Sequence, residues 1–570
     1  MSAIYEKYLG RSRDSFSSFR DVTENYHITY EDDFNFAYDI VDELGTTKPD
    51  KLAMLWVGAD GTEKRFTFRD MMNESNKAAN LFRSYGLKKG DRVMLVLRRS
   101  YYFWFCMLGL AKIGAIACQA TDMLKKSDYV YRCNVGKINA VVITDHGSCT
   151  EYFDEGDGEY ETVKYKFVLG HKRAGRGWID FEEEFEKQSA EFERPDEDDD
   201  QHTVATDVML LAFSSGTSGY PKMITHDFRY PLGHIITGVF WHRVVDGGLH
   251  FTISDTGWLK SLWGKFYGQW FGESAVFVYD FERFEGGDIL SKLEKYRITT
   301  FCAPPTMYRM MLLCHVGDYD LSSITHCCTA GEALSPEIFN RWYDATGLKI
   351  YEGFGQTETT CSISTLYPWT EPTPGAMGLP SPGYDVRILD EDGNDVTRGS
   401  VGEICIRAKP TLRPCGLMVS YNWNKKDTKY AYRGGWYHTG DTAYRDEDGR
   451  FCYVGRNDDI IKSSGYRIGP FEVESTLLEH PAVLECAVTG VPDDVRGFKV
   501  KATIVLSKGY EPSEALIKEL QTFVKLNTAP YKYPRVIEFV DSLPKTISGK
   551  IRRAEIRQRD IEKYREQRSE

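Results

Sequence analysis

Several features that mark common protein classes are missing from this 570-residue chain. None of its thirteen cysteines is spaced as C-x-x-C, which predicts reduced thiols rather than a disulfide framework or a zinc site. The histidines show no metal-ligand spacing. Positive charge is in deficit, with 71 basic against 84 acidic residues and a net charge of −13. This charge balance argues against a general nucleic-acid binder.

The chain also lacks a long uninterrupted apolar run. The strongest candidate, Tyr101 to Ala120, is broken by Lys112 and by glycines, which favours a buried helix turning into a strand over a membrane span. The first forty residues carry many acidic side chains and no apolar signal core. They resemble neither a secretory nor a mitochondrial leader, so we expect a cytoplasmic protein.

The length and the order of apolar runs predict several compact units. A chain this long should form roughly three to four of them. From Asp91 to Thr346, strand-like runs alternate with helical patterns, which predicts an α/β fold with two packed α/β subdomains. Turn-rich sequence after Pro368 predicts a small β-barrel or sheet, and a shorter α+β pattern follows Gly455. We therefore expect an N-terminal domain at residues 1–457 and a C-terminal domain at residues 458–570.

A loop rich in hydroxyls and glycines follows the apolar run Val208 to Phe213. Its sequence is FSSGTSGYPK, where glycines let backbone N–H groups approach an anion and the lysine adds charge. It is not the P-loop of ordinary NTPases, since Tyr220 and Pro221 separate Gly219 from the lysine. Taken alone, it is equally typical of a flexible turn. The candidate polyphosphate ligands are Ser214, Ser215, Gly216, Thr217, Ser218, Gly219 and Lys222.

Five further motifs carry polar residues and glycines. Thr329–Ala333 (TAGEA) and Tyr351–Thr359 (YEGFGQTET) each follow a predicted strand, where open α/β sheets bind ligands. The others are Trp436–Asp441 (WYHTGD), Gly455–Ile468 (GRNDDIIKSSGYRI) and Pro544–Lys550 (PKTISGK). Alone, an aspartate after Thr-Gly is usually a turn residue and a lysine in a basic segment is usually solvated. Because the motifs occur together and in this order, we instead interpret both Asp441 and Lys550 as functional residues.

In this order the motifs resemble the adenylate-forming superfamily of acyl-CoA synthetases, peptide-synthetase adenylation domains and luciferases, over about residues 60 to 555. The spellings GFGQTE and SSGYRIGP are most similar to medium-chain acyl-CoA synthetases. The resemblance implies an enzyme that converts a medium-chain or branched carboxylate to acyl-AMP plus pyrophosphate, and then to acyl-CoA plus AMP. Two alternatives stay open: an adenylating enzyme that loads another thiol acceptor, and a non-catalytic nucleotide sensor.

The resemblance also implies roles for residues in ATP binding and adenylation. Glu358 would hold Mg²⁺, Asp441 would accept hydrogen bonds from the ribose hydroxyls, and Arg456 would contact ribose or phosphate. Lys550 would stabilise charge between the carboxylate and the α-phosphate. The catalytic group would comprise Lys550, Glu358, Thr357 and Lys222. The wall around the adenine and phosphates would comprise Gly331, Glu332, Glu352, Gly353, Phe354, Gly355, Gln356 and Thr357.

For thioester formation the resemblance implies a mobile C-terminal domain that rotates about Asp458. The candidates for contacting CoA are Ser464, Gly465, Tyr466, Arg496 and Arg535. The candidates for lining the acyl pocket are Trp258, Trp263, Gly355 and Arg467, with His226 as a possible edge. Family members restricted to acetate have a tryptophan at the position of Gly355. The glycine therefore implies room for a longer or branched acyl chain.

Overall fold

The computed structural model describes residues 2–170, 175, 177–214, 221–409, 413–422, 424–463, 466–494, 496–546 and 550–569. Within these ranges the strands form four sheets, of eight, nine, four and five strands. The predicted fold class is confirmed: two α/β units lie in the larger part of the chain, and a smaller α+β unit follows.

The first sheet is built mainly from parallel strands, as the alternating pattern predicts. Its spatial order is Ser420–Tyr421, Met223–Asp227, Val208–Phe213, Ile116–Gln119, Arg92–Val96, Ala140–Thr144, Tyr165–Leu169 and Ile179–Asp180. Among these strands every pairing is parallel except the two that Met223–Asp227 makes with its neighbours, Ser420–Tyr421 and Val208–Phe213. Residues of the central strands are almost all buried, which explains their continuous apolar runs.

The second sheet has a parallel centre with antiparallel strands at its edges. Its order is Leu379–Pro380, Ile363–Ser364, Ile350–Phe354, His326–Thr329, Thr300–Cys302, Leu249–Thr252, Ala275–Asp280, Leu52–Gly58 and Glu63–Thr67. The two large sheets share one hydrophobic core, which contains Leu95 from the first sheet and Val276 from the second. The two units are therefore packed together, as expected.

Helices cover the two large sheets, because the parallel crossovers place them on the sheet faces. The α-helices of the described residues are Glu6–Leu9, Phe19–Asn25, Glu43–Thr47, Phe68–Ser84, Tyr102–Lys112, Lys126–Gly136, Cys149–Asp154, Phe181–Glu186, Lys260–Gly264, Tyr267–Phe271, Gly286–Lys295, Pro305–Met311, Pro336–Thr346, Lys425–Ala431, Pro470–Leu478, Glu514–Asn527 and Arg553–Ser569. Two π-helices lie at Ala37–Asp42 and Ile236–Trp241. The 3₁₀ turns are Arg13–Ser15, Val316–Asp318, Arg433–Gly435 and Pro530–Lys532.

The apolar run at Tyr101 to Ala120 forms a buried helix and strand. Every residue of the helix Tyr102–Lys112 is buried. The Lys112 ammonium donates to Asp42 Oδ1 at 2.7 Å and to Asn76 Oδ1 at 2.5 Å, which compensates its burial. Across the described residues, we find no helix of the length and apolarity that a membrane crossing requires.

The turn-rich segment after Pro368 forms a small antiparallel sheet. Its strands are ordered Val386–Leu389, Gly402–Arg407, Trp436–Arg445 and Phe451–Arg456. Among the described residues no pairing joins the two outer strands. Of the two predicted forms, a small barrel or a sheet, the structure therefore shows the sheet. On this sheet Glu403 accepts from His438 Nδ1 at 2.8 Å beside Cys405, and from Arg433 at 3.2 Å. Since its carboxylate is already paired, we assign this cluster to structure rather than to a metal.

The last sheet comes next along the chain and packs with helices in an α+β unit. Its strands are Tyr466–Ile468, Ile461–Ser463, Gly497–Leu506 and Val483–Asp493 in spatial order, with Val536–Phe539 parallel to Gly497–Leu506. The helices Pro470–Leu478 and Glu514–Asn527 pack on its apolar face, where Val473 and Leu520 are fully buried. The final helix is fixed to the sheet by Asp560, which pairs with buried Lys501 at 2.6 Å.

Candidate active site

The sequence motifs meet where strands of the two large sheets end. Thr329 closes one strand of the second sheet, and Phe354 closes its neighbour. His226, on the first sheet, donates from Nε2 to the Thr357 carbonyl oxygen at 2.8 Å. This hydrogen bond fixes the Gln-Thr-Glu loop against the strand that follows the hydroxyl-rich loop. The carboxyl ends of parallel strands are the usual ligand site of such folds.

The hydroxyl-rich loop connects two antiparallel strands. At its base the Ser214 amide donates to the Lys222 carbonyl oxygen at 2.9 Å. The Lys222 ammonium lies 4.7 Å from the centre of the Tyr421 ring and 3.8 Å from Asp427 Oδ2. Ser215, Gly216, Thr217, Ser218 and Gly219 lie outside the described residues, so their contact with phosphate stays a prediction.

Glu358 lies close to the base of that loop. The Tyr421 hydroxyl donates to Glu358 Oε1 at 3.0 Å, and Lys222 lies over the same tyrosine ring. Burial raises the pKa of Glu358, while Tyr421, Arg456 and Lys222 oppose the rise. The lysine, the tyrosine and the carboxylate therefore form one connected group at the entrance to the site.

Asp441 is buried in a polar network with the Gln-Thr-Glu loop. It accepts at Oδ2 from Gln356 Nε2 at 2.5 Å, and at Oδ1 from the Tyr453 hydroxyl at 3.1 Å. Gln356 also donates to the Thr439 carbonyl oxygen at 2.9 Å. Burial raises the pKa of Asp441, and Arg456 is the largest opposing influence. These contacts hold the carboxylate in one orientation, with lone pairs left to accept further hydrogen bonds.

Arg456 joins the ribose candidate to the hinge candidate. Its Nε lies 3.9 Å from Asp441 Oδ1 and 3.7 Å from Asp458 Oδ1. Burial works against its charge, but Asp441 and Asp458 raise the pKa of Arg456 overall. The neighbouring Asp459 forms an ion pair with Arg557 of the last helix. The segment after Arg456 is thus linked to both parts of the chain.

Gly331 and Glu332 lie in the turn after the strand His326–Thr329. Gly331 has φ of +98°, a conformation that favours glycine. Glu332 accepts at Oε2 from the Thr306 hydroxyl at 2.7 Å. Beneath the turn, the Lys260 ammonium donates to the Ala330 carbonyl oxygen at 2.5 Å. This lysine brings a positive charge to the predicted nucleotide wall.

Glu352, Gly353 and Phe354 form the end of a buried strand. Glu352 accepts at Oε1 from the Leu334 amide at 3.3 Å, and burial raises its pKa to about 8. It is therefore protonated at neutral pH and acts as a neutral group. A Cβ added at Gly353 would lie 2.5 Å from the Trp241 ring, so only glycine fits there. The Phe354 ring lies 6.5 Å from that of Tyr453.

Lys550, although far along the chain, faces the same site. Its amide donates to Thr546 Oγ1 at 3.1 Å, and its side chain is exposed. Burial raises the pKa of Asp441 and lowers that of Lys260, and the positive charge of Lys550 makes a smaller contribution at both groups. Such an effect requires the ammonium to lie within electrostatic range of both groups. The Lys550 side chain therefore lies near the candidate site, and its contact with a nucleotide stays a prediction.

The CoA candidates lie on or beside the last sheet. Tyr466 is half exposed and its ring stacks on Tyr531 at 4.0 Å. The Arg496 amide donates to Asp493 Oδ1 at 2.9 Å. The Arg535 guanidinium lies 4.5 Å from the Tyr533 ring and donates to its hydroxyl. Ser464 and Gly465 lie outside the described residues.

The acyl candidates Gly355 and Trp263 are in direct contact. A Cβ added at Gly355 would lie 2.4 Å from Trp263 Cη2 and 2.3 Å from the Thr360 carbonyl oxygen. The expected free space beside Gly355 is therefore already filled by the Trp263 indole. Trp258 lies half-buried at the start of the same segment, and the Arg467 side chain is outside the described part.

Family models assign the two parts of the chain. Residues 41–414 match the model described as AMP-binding enzyme, and residues 472–550 match the AMP-binding enzyme C-terminal domain. The chain belongs to the AMP-binding enzyme family. Among curated relatives, human Acyl-coenzyme A synthetase ACSM3, mitochondrial, is 39% identical over 571 residues, covering 98% of this chain and 95% of that protein. Acyl-coenzyme A synthetase ACSM5, mitochondrial, of Mus musculus is 39% identical over 92% of this chain and 91% of its own length.

Solved structures of this family show the same architecture. An anthranilate CoA ligase, AuaEII, in complex with anthranoyl-AMP has a TM-score of 0.84 at 30% identity, covering 93% of this chain and 98% of its own. A benzoate CoA ligase from Burkholderia xenovorans LB400 has a TM-score of 0.78 at 28% identity, covering 92% of this chain and 100% of its own.

Three residues of the candidate site were not found from the sequence. Lys260, Tyr421 and Tyr453 contact the motif residues, but each comes from a segment without a recognisable motif. For Tyr453, the one available signal in the sequence was its position two residues before Gly455. In the structure Tyr453 lies opposite Ala443 on the neighbouring strand. Lys260 and Tyr421 reach the site through tertiary packing alone.

Proposed function

We propose that this chain is an ATP-dependent acyl-CoA synthetase that forms AMP. The observation that carries the proposal is the buried network of Asp441 with Gln356, Tyr453 and Arg456, because it offers a fixed carboxylate for ribose hydroxyls beside the ends of parallel strands. The relatives named acyl-coenzyme A synthetases, which align over nearly the whole chain, support the same activity.

In the proposed first half-reaction, a carboxylate oxygen attacks the α-phosphorus of ATP. The bond from that phosphorus to the pyrophosphate oxygen breaks, giving acyl-AMP and pyrophosphate. Asp441 would accept hydrogen bonds from the ribose hydroxyls, held in position by Gln356 and Tyr453. Lys550 would stabilise the negative charge shared by the carboxylate and the α-phosphate, where a fixed cation gains most. Lys222 would hold the outer phosphates.

The residues at the loop entrance fit a magnesium ion. Mg²⁺ is usually held by one or two carboxylates together with substrate phosphates. Glu358 offers a half-buried carboxylate with Oε1 fixed by Tyr421, and burial makes its negative charge costly without a cation. The ion would supply charge neutralisation to the phosphates. Glu358 would hold it, with Thr357 beside it.

In the proposed second half-reaction, the sulfur of CoA attacks the acyl carbonyl carbon and AMP leaves. Lys550 would leave the nucleotide site after adenylation, and the CoA-facing loop would have to replace it. Asp458 would be the hinge, and its ion pair with Arg456 would break or change on rotation. This supports a division at residues 457 and 458. Ser464, Gly465 and Tyr466 would then face the thiol, with Arg496 and Arg535 near the nucleotide of CoA.

We infer a substrate larger than acetate, of medium or branched shape. This inference rests on the family resemblance at Gly355, because in the structure the Trp263 indole fills the space beside that glycine. We also infer a cytoplasmic location, although the curated relatives carry the word mitochondrial in their names. All thirteen cysteines are free, which suits any reducing compartment. Imaging of the chain with a C-terminal fluorescent tag against mitochondrial and cytosolic markers would decide the location.

Carboxylate-dependent exchange of labelled pyrophosphate into ATP tests the function. We expect exchange with a medium or branched acid, and AMP release that requires CoA. Exchange followed by transfer only to another thiol would favour the carrier-loading alternative. Nucleotide binding without exchange for any acid in a broad panel would favour the sensor and overturn the proposal. A parallel assay with magnesium removed by EDTA should abolish exchange.

A further inference from the structure

A group of buried aromatic rings extends inward from the Gln-Thr-Glu loop. This inner ring cluster comprises His226, Tyr230, His234 and Tyr267. The ring centres of His226 and Tyr230 are 4.0 Å apart, and those of Tyr230 and His234 are 4.7 Å apart. His234 stacks on Tyr267 at 5.7 Å with an angle of 25° between the rings. Each of the four residues is at most 1% exposed.

Polar atoms of the inner ring cluster lack partners. His234 has no hydrogen bond at either ring nitrogen, and the Tyr267 hydroxyl and His226 Nδ1 have none, among the residues that the structure describes. Buried polar side chains are nearly always paired in folded proteins. Four unpaired atoms on three neighbouring rings therefore call for a ligand or for trapped water.

The position of the inner ring cluster connects it to the proposed acyl site. His226 donates to the Thr357 carbonyl oxygen, so the cluster begins at the loop that also carries Gly355. The Trp263 ring lies 6.1 Å from that of His234 and abuts Gly355. An acyl group that runs inward from the carboxylate along Trp263 would reach His234 and Tyr267.

The inner ring cluster offers neutral hydrogen-bonding groups. Burial lowers the pKa of His226 to about 4 and that of His234 well below its usual value. Burial alone raises the pKa of Tyr267. A charged substituent on the ligand would find no fixed opposite charge on these rings and would lose its hydration. A neutral hydroxyl, oxo or aryl-amine group could both donate and accept here.

We propose that the inner ring cluster determines acyl specificity by binding a neutral polar substituent carried by the acyl group. This inference rests on the proposed function of the site. The preferred substrates are hydroxylated or aryl-amine acids of a size that reaches His234, ahead of their unsubstituted parent acids and of diacids. His226 is the near end of this subsite, and Tyr267 is its far wall.

Matched acids test the inference in the pyrophosphate-exchange assay. One series is benzoate, its three ring-hydroxylated acids, its ring-aminated acids and phthalate; the other is hexanoate, hydroxyhexanoates and adipate. We expect at least one neutral polar acid to exceed its unsubstituted parent by about tenfold or more in kcat/KM, because a site built for a hydrogen bond rejects an analogue that lacks it. The diacids should be the poorest of each series.

Variants separate a binding role from a structural one. For Tyr267→Phe and for His234→Phe, we expect the kcat/KM of the polar acid divided by that of its parent acid to fall towards one. Tyr267→Phe should not lower Tm, since no protein hydrogen bond is lost. The matched control is Tyr129→Phe, which removes another buried, unpaired hydroxyl, from a ring packed on Phe153 in the first subdomain. Its ratio should equal that of the wild type.

The outcomes distinguish failure of the inference from failure of the proposed function. No exchange with any acid would refute the synthetase proposal. Exchange with parent acids, but with no preference for a polar partner, would overturn the subsite alone. Equal losses for parent and polar acids in Tyr267→Phe, together with a lower Tm, would assign the hydroxyl to structure through trapped water and would also overturn it.

Discussion

The buried carboxyl of Glu352 should make the stability of the large domain depend on pH in an unusual direction. Its pKa of about 8 in the folded protein lies above the ordinary value of 4.5. Below pH 4.5 the group is protonated in both states and costs nothing. As pH rises above 4.5, the unfolded chain releases the proton while the folded chain keeps it, so the free energy of unfolding falls until about pH 8.

The size of the effect follows from the difference in pKa. The shift of 8 − 4.5 = 3.5 corresponds to about 5 kcal/mol in full and to about 3 kcal/mol at pH 7. Glu352→Gln keeps an oxygen that can accept from the Leu334 amide but cannot ionise. The variant should therefore match the wild type near pH 4.5 and become progressively more stable than it up to pH 8.

Urea unfolding followed by tryptophan fluorescence measures this difference, because all eleven tryptophans precede residue 457. Transitions at pH 5, 6, 7 and 8 should show a gap between variant and wild type that widens with pH. Glu24→Gln, which changes an exposed carboxylate, is the control and should show no such trend. A gap that is constant with pH, or that reverses, would show that Glu352 is ionised in the folded protein.

Four other changes test the site. Lys550→Ala should slow adenylation about a hundred- to a thousandfold and affect thioester formation from supplied acyl-AMP far less; equal losses would contradict the two-step account. Lys260→Met should raise the KM for ATP, because a charge under the nucleotide wall is lost; an unchanged KM would remove that role. Asp458→Pro fixes φ near roughly −65° and should spare pyrophosphate exchange but damage CoA transfer; normal turnover would exclude the hinge. Trp263→Leu should improve longer acids by about fourfold per added methylene, from about 0.8 kcal/mol each; an unchanged chain-length profile would remove Trp263 from the pocket.

The sequence predicted the fold class and the convergence of the motifs because both depend on local patterns. Alternating strands and helices require parallel strands, and parallel strands place Thr329 and Phe354 at the same edge. The prediction that Lys550 acts beside Asp441 rests on family resemblance, because nothing in the local sequence relates residues so far apart. The sequence could not predict that Trp263 fills the space beside Gly355, since that contact joins two segments through packing.

The inner ring cluster was invisible to the sequence for a related reason. The four-residue spacing of His226, Tyr230 and His234 is typical of a buried helix face, but His226 lies on a strand and Tyr230 in the turn after it. Tyr267 joins them from the helix Tyr267–Phe271, so packing alone forms the cluster.

The charges of the proposed site give a reason for the proposed catalytic lysine, Lys550, to come from a separate part of the chain. Lys260 is held under the predicted nucleotide wall, where burial is the largest cause that lowers its pKa and Lys550 adds a smaller effect, so two cations at this site would repel each other with no phosphate between them. Asp441 offsets part of that repulsion, because its charge is favoured by Lys550. Bound ATP would favour the arrangement with Lys550 inside, since its negative phosphates attract both lysines. Loss of pyrophosphate removes most of that negative charge, so the balance shifts towards departure of Lys550 as the first half-reaction ends. A lysine fixed on the large domain could not respond in this way, whereas one carried beyond Asp458 can leave the site to the thiol.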